Sequence, residues 1–138
     1  MLDKNIFFRF NFFGLHTKMT KRIIIADDER LVRESLASVV MRTLNDVEVV
    51  TVENGEELVD RVRNDGYDFI ITDNGMSGMS GLSAIKEIRR FNNDTPIYMI
   101  SGAGTNIELA LFMGATGYIS KRDYCDRLPA ILNEYLGN

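Results

Sequence analysis

From Lys21 onward, short apolar runs alternate with stretches whose apolar residues recur at helical spacing. The runs fall at residues 22–26, 47–52, 67–72, 96–100 and 116–119. They are rich in isoleucine and valine and mostly do not alternate with polar residues, which is the pattern of strands covered on both faces. Between them lie amphipathic stripes. Val32, Leu36, Val39 and Val40 make one, Leu58 and Val62 a shorter one, and Leu82, Ile85 and Ile88 a third. Tyr124, Leu128, Ile131, Leu132 and Tyr135 form the clearest, at the i, i+4, i+7, i+8, i+11 spacing of one helix face. Asn54 with Glu57, and Thr105 with Glu108, have the spacing of a helix-capping side chain and its reciprocal partner. Five strand–helix repeats joined by short connections predict an α/β fold: a five-stranded, doubly wound parallel sheet with helices on both faces.

The strand ends carry the chemistry. The third run stops on Asp73 and opens into a glycine-studded stretch, residues 74–81, while Asp27-Asp28-Glu29 follows the first run. Ser101 ends the fourth run and Lys121 stands just past the fifth. In a parallel sheet such positions converge beyond the carboxyl ends of the strands, near the point where strand order reverses. Carboxylates crowded there repel one another, by ~4 kcal/mol for unit charges about 4 Å apart at an effective dielectric near 20. The cluster must shift its pKa values, recruit a base or bind a cation. Oxygen donors without His or Cys favour Mg²⁺ or Mn²⁺, and Lys121 supplies a fixed positive charge. Gly102, Ala103 and Gly104 leave an incoming group room beside Ser101. Acid, divalent metal, amine and hydroxyl together suit a phosphoryl group, with an aspartate carboxylate as the nucleophile. Asp27 and Asp28 also sit where acid complements the dipole of the following helix.

Composition narrows the partners. At 138 residues the chain has the size of one domain, and a net charge of −4 gives no basis for direct nucleic-acid binding. Cys125 is the only cysteine, so no internal disulfide can form, which fits a cytoplasmic location. No apolar run is long enough to span a bilayer. Residues 1–20 read as a separate leader before a domain at 21–138. Five of the eight phenylalanines lie there, at Phe7, Phe8, Phe10, Phe12 and Phe13. Arg9 and Asn11 break the apolar core that a signal peptide needs. The leader reads as a disordered or upstream-translated start ahead of Met19, or as an aromatic arm for a partner, a second copy or a membrane surface. His16, the only histidine, lies in it, which leaves no basis for a histidine-built catalytic or zinc site.

Asp27-Asp28, Asp73, Ser101 and Lys121, in this order, together with Gly78, Gly81 and the Gly114-Ala115 pair, resemble the receiver domain of two-component response regulators. The resemblance covers residues 21–136. It implies a flavodoxin-like (βα)5 receiver fold, with Asp73 as phosphoacceptor and Mg²⁺ held by Asp28, Asp73 and the main-chain carbonyl of Gly75, Asp27 acting through water. It further implies that Ser101 bonds the phosphoryl oxygens, that Lys121 pairs with them, and that Tyr118 is an aromatic switch moving with Ser101. The partners it implies are a sensor histidine kinase or histidine phosphotransfer protein, and a downstream target or second copy bound through the fourth helix, fifth strand and fifth helix. The chain would then be no enzyme in the ordinary sense, catalysing only its own phosphoryl uptake and loss. As given it resembles a stand-alone receiver, and a piece of a longer regulator would read identically.

Three departures stand out. Ser77 and Arg122 occupy positions where the family usually has proline, so the loop after strand three is expected to be looser and the Lys121–Arg122 bond is open to cis or trans. The interval from Ser101 to Tyr118 is also short, which trims the fourth helix or its entry loop. Two other readings remain beside the switch. One is a receiver-like interaction module that does not use phosphate. The other is a phosphohydrolase with an aspartate nucleophile, of the haloacid-dehalogenase kind, although that class spaces its acids as Asp-x-Asp after the first strand.

Overall fold

The computed structural model describes residues 20–137, so the aromatic leader expected at 1–20 lies almost wholly outside the described residues. Strands and helices alternate throughout: β1 (Lys21–Ala26), α1 (Arg30–Thr43), β2 (Val47–Val52), α2 (Gly55–Asn64), β3 (Phe69–Asp73), α3 (Gly81–Arg89), β4 (Ile97–Ser101), α4 (Ile107–Met113), β5 (Gly117–Ser120) and α5 (Tyr124–Leu136). All strand pairs are parallel, in the order β2-β1-β3-β4-β5. The winding direction reverses between β1 and β3; β3 ends on Asp73, and Asp27 follows β1 directly.

Side chains leave each strand on alternate faces, and this divides the core in two. Ile23, Ile25, Phe69, Ile71, Ile100 and Ile119 meet Leu36, Val39 and Val40 of α1 and Leu128 and Leu132 of α5. Ile24, Ala26, Ile70, Ile97 and Met99 meet Leu58 and Val62 of α2, Ile85 and Ile88 of α3 and Ala110 of α4. Full burial of each large aliphatic side chain contributes roughly 1.5–3 kcal/mol. The central strands β1 and β3 therefore form the rigid frame on which the site is mounted.

Several expectations are corrected. β2 is an edge strand with only Val52 buried, because β1 is its sole sheet neighbour among the described residues. The third strand begins at Phe69 instead of Tyr67. Asp68 turns its carboxylate onto the Arg22 amide (2.8 Å), and Tyr67 packs under the Arg22 guanidinium, 4.6 Å from its ring centroid. The strand ends on Asp73, as expected. The fourth and fifth strands each start one residue later than expected, because Thr116 Oγ1 accepts the Ile97 amide at 3.0 Å. Asn54 caps α2 through the Glu57 amide (2.8 Å) as the spacing predicts, but the Glu57 carboxylate reaches back to the Glu53 amide instead of Asn54's own.

Thr105 does not cap α4. Asn106 does, accepting from the Leu109 amide at 2.9 Å, while the Thr105 hydroxyl is engaged elsewhere. α4 is the shortest of the five helices among the described residues and ends on Gly114, whose φ of +118° strongly favours glycine. Every peptide bond among the described residues is trans, Lys121–Arg122 included.

Candidate functional site

Register builds the site. Ala26 pairs with Thr72, so Asp27 and Asp73 leave adjacent strands at the same level, and Asp73 pairs with Ile100, one step before Ser101. Lys121 arrives from the end of β5, where its amide donates to the Ser101 carbonyl at 3.0 Å. Its ammonium stands 3.3 Å from Asp73 Oδ1, 3.5 Å from Asp27 Oδ2 and 3.6 Å from Glu29 Oε1. Asp27, Asp28 and Asp73 each bring a carboxylate oxygen within 4.8 Å of the others. Asp27 is fully buried and Asp73 nearly so, whereas Asp28 faces solvent. Asp27, Asp28, Asp73 and Lys121 thus gather at the strand-order reversal, open on the Asp28 side, with Ser101 at the end of the neighbouring β4.

The electrostatics follow from this crowding. Burial pushes the Asp27 carboxyl up; the Glu29 amide and Lys121 act against that rise, the Asp73 charge adds to it, and the net shift is upward. For Lys121, burial favours the neutral amine, but Asp73 and Asp27 outweigh it and hold the ammonium form above its ordinary range. One oxygen of Asp27 accepts the Glu29 amide at 2.8 Å, while Oδ2 accepts no hydrogen bond and has the Lys121 ammonium before it. A buried carboxylate oxygen left in that state, beside two further carboxylates, fits a hard divalent cation such as Mg²⁺. Asp27, Asp28 and Asp73 could hold one. Gly75 lies against the same group, since a Cβ at Gly75 would be 3.9 Å from Asp73 Oδ2.

The surrounding loops are tied more firmly than the sequence indicated. A Cβ at Gly81 would overlap the Asp73 carbonyl oxygen, so α3 starts in direct contact with the acidic residue's own backbone. Asn74 Oδ1 accepts the Leu82 amide, and the Glu56 carboxylate accepts the Met79 amide at 3.1 Å. With those bonds the Ser77 loop is fastened from both ends. Met76 is buried and Met79 packs on the core, as loop packing.

Ser101 is buried, and its oxygen accepts the Thr105 hydroxyl at 2.6 Å. The Tyr118 hydroxyl donates to the carbonyls of Ser101 (3.0 Å) and Gly102 (3.3 Å), with its ring half-buried against the core. Three participants escaped the sequence reading as members of the site: Thr105, Glu56, and Arg33, whose guanidinium donates to the Asp27 carbonyl at 2.8 Å. Arg33, one turn after the acidic segment, left a faint signal; Thr105 left none beyond its hydroxyl.

Comparison with known proteins agrees with this geometry. The profile described as "Response regulator receiver domain" matches residues 23–133. The transcriptional regulatory protein NatR of Bacillus subtilis is 31% identical over 116 residues, covering 83% of this chain and 49% of NatR, so the chain spans about half the length of that relative. The chemotaxis protein CheY of Bacillus subtilis is 31% identical over 121 residues, covering 86% of this chain and 99% of CheY. Among solved structures, the response regulator TrrA of Thermotoga maritima, crystallised in complex with Mg(2+)-BeF, superposes with a TM-score of 0.76 at 32% identity, covering 84% of this chain and 99% of TrrA. TrrA has also been crystallised in complex with the histidine kinase ThkA. With the profile running from the first strand into the last helix, and a relative matched along almost its whole length, this chain belongs to the response regulator receiver domain family.

Proposed function

We propose that the chain is a phosphorylation-driven signalling switch in which Asp73 accepts a phosphoryl group from the phosphohistidine of a sensor histidine kinase or a histidine phosphotransfer protein. The observation that carries this reading is the Asp73 carboxylate at the end of β3, ion-paired to Lys121 at 3.3 Å and gathered with Asp27 and Asp28. In the transfer, an Asp73 oxygen bonds to phosphorus while the phosphorus–nitrogen bond to the donor imidazole breaks. The imidazole keeps the electron pair and takes up a proton. Lys121 offsets charge on the phosphoryl oxygens, and Ser101, whose oxygen already accepts from Thr105, directs its own proton to one of them. Asp28, Asp73 and the Gly75 carbonyl would hold Mg²⁺ or Mn²⁺, with Asp27 acting through water. The ion would supply Lewis-acid neutralisation of the phosphoryl charge. The mounting on rigid strand ends means that little is lost in ordering these groups.

The output follows from what Ser101 touches. Tyr118 and the Lys121 amide share the Ser101 carbonyl, so a pull on Ser101 reaches β5 and the loop that leads into α4. In this reading phosphorylation shifts a two-state equilibrium of that loop, with Tyr118 as the switch, and the face of α4, β5 and α5 meets a downstream protein or a second copy. The complexes of TrrA with a kinase and with Mg(2+)-BeF support the donor class and the metal. The chain then catalyses only its own phosphoryl uptake and loss.

Incubating the protein with acetyl phosphate tests the proposal. A hydroxylamine-labile phosphoryl adduct should form with Mg²⁺ and fall to background with excess EDTA or in Asp73→Asn. Uptake by Asp73→Asn equal to that of the unaltered chain would refute the assignment.

A further inference from the structure

α4 is unusually bare. Of its seven residues only Ala110 is buried, while Ile107 is 44% exposed, Leu109 37%, Leu111 46% and Phe112 85%. Ile107 and Leu111 lie one turn apart, as do Leu109 and Phe112, flanking the exposed Glu108, and large apolar side chains exposed together in this way mark contact surfaces. Elsewhere among the described residues such side chains stand apart or are covered. Leu31 and Met41 lie at opposite ends of α1, and Phe91 is stacked under the Arg63 guanidinium at 4.8 Å. We propose that the leader of this same chain, residues 6–13 with its five phenylalanines, docks in cis on the apolar face of α4.

Where the chain leaves the fold supports this occupant. The Thr116 amide bonds the Ile97 carbonyl, which places the far end of α4, at Phe112 and Met113, beside the edge where the parallel strands begin. Lys21 starts β1 at that same edge. From β1 to β5 are three strand spacings of about 4.8 Å, and the helix layer lies roughly 10 Å above the sheet, a span of roughly 18 Å. Residues 14–20 reach about 23 Å when extended. Charge agrees as well. The leader carries Lys4, Arg9 and Lys18 against Asp3 alone, a net +2, so the chain's net −4 leaves −6 on residues 21–138, and Glu108 lies in the first turn of α4. A tether this short gives an effective concentration of the order of mM, which favours the leader of the same chain over that of a second copy. An anionic membrane would hold the basic leader but repel the acidic domain behind it. If α4 also forms part of the output face, a point that rests on the switch reading, the leader competes with the downstream partner.

Methyl NMR of the full chain tests docking without any phosphoryl group, so its failure would leave the phosphorylation reading standing. Phenylalanine rings of residues 7–13 should show cross-relaxation to the methyls of Leu109 and Leu111, with shifts independent of protein concentration. Phe112→Ser, at a side chain too exposed to be needed for folding, should lose these contacts, and so should the double variant Phe10→Ser with Phe12→Ser. Docking in cis is overturned by the absence of such contacts in the unaltered chain or by their survival in both variants. It is equally overturned by methyl shifts that grow with concentration, or by transfer of the leader to anionic vesicles while the α4 shifts stay unchanged.

Discussion

Lys121 faces three carboxylates at 3.3–3.6 Å, and a single ammonium cannot balance them. The residual cost falls on Asp27, which is fully buried and whose carboxyl is pushed above its ordinary value of 3.8 by that burial. Because its folded-state pKa exceeds the unfolded one, Asp27 favours the fold most when protonated. Its contribution declines as the pH climbs from about 3.8 through the raised folded value, and at neutral pH its charge is a net cost. Asp27→Asn keeps an oxygen for the Glu29 amide and removes the charge. In metal-free buffer at neutral pH it should raise the melting temperature by a few degrees, with the gain vanishing toward pH 4. A variant that melts lower than the unaltered protein at neutral pH would show that the pairing with Lys121 outweighs the burial. At this scale the sequence was legible where a residue's position in a strand fixes its address: Asp27, Asp73, Ser101 and Lys121 all follow from strand ends. Thr105 and Arg33 were not legible, because their contacts with Ser101 and Asp27 depend on the path of a loop and the rotation of a helix.

Among the elements, α3 is coupled to the site most directly, since its first residue, Gly81, has no room for a side chain against the Asp73 carbonyl. Gly81→Ala forces the helix start away from β3. It should cost about 1–3 kcal/mol, as overpacking of a close backbone contact does, and be read as a lowered urea midpoint with unchanged slope. No loss of stability would mean that the helix start yields freely and that Gly81 does not position Asp73. Strands β1 and β3 were readable because both faces are covered, leaving unbroken isoleucine runs. β2 read the same way but lies at an edge, a distinction set by strand order and invisible in local composition. The stripes of α1, α2, α3 and α5 each named the buried face, whereas α4 gave no stripe because it buries only Ala110. Its start was misplaced by one residue for a related reason: Thr105 and Asn106 are both competent caps, and the hydroxyl of Ser101 takes the first.

Across the whole molecule, the acidic cluster lies at the edge where the parallel strands end, while β1 begins with Lys21 at the opposite edge. Overall topology was legible because right-handed strand–helix–strand units with short connections leave few ways to order five strands. The closing of the site was legible only as a consequence of that topology. Its burial gradient, from the enclosed Asp27 to the open Asp28, required the packed structure. The central claim is that a side-chain oxygen of Asp73 becomes bonded to phosphorus. After incubation with acetyl phosphate and Mg²⁺, borohydride reduction converts an aspartyl phosphate to homoserine, which peptide mass spectrometry locates. The account predicts homoserine at position 73 alone. Homoserine at position 27 or 28 with none at 73, or phosphate retained on a hydroxyl such as that of Ser101, would contradict it.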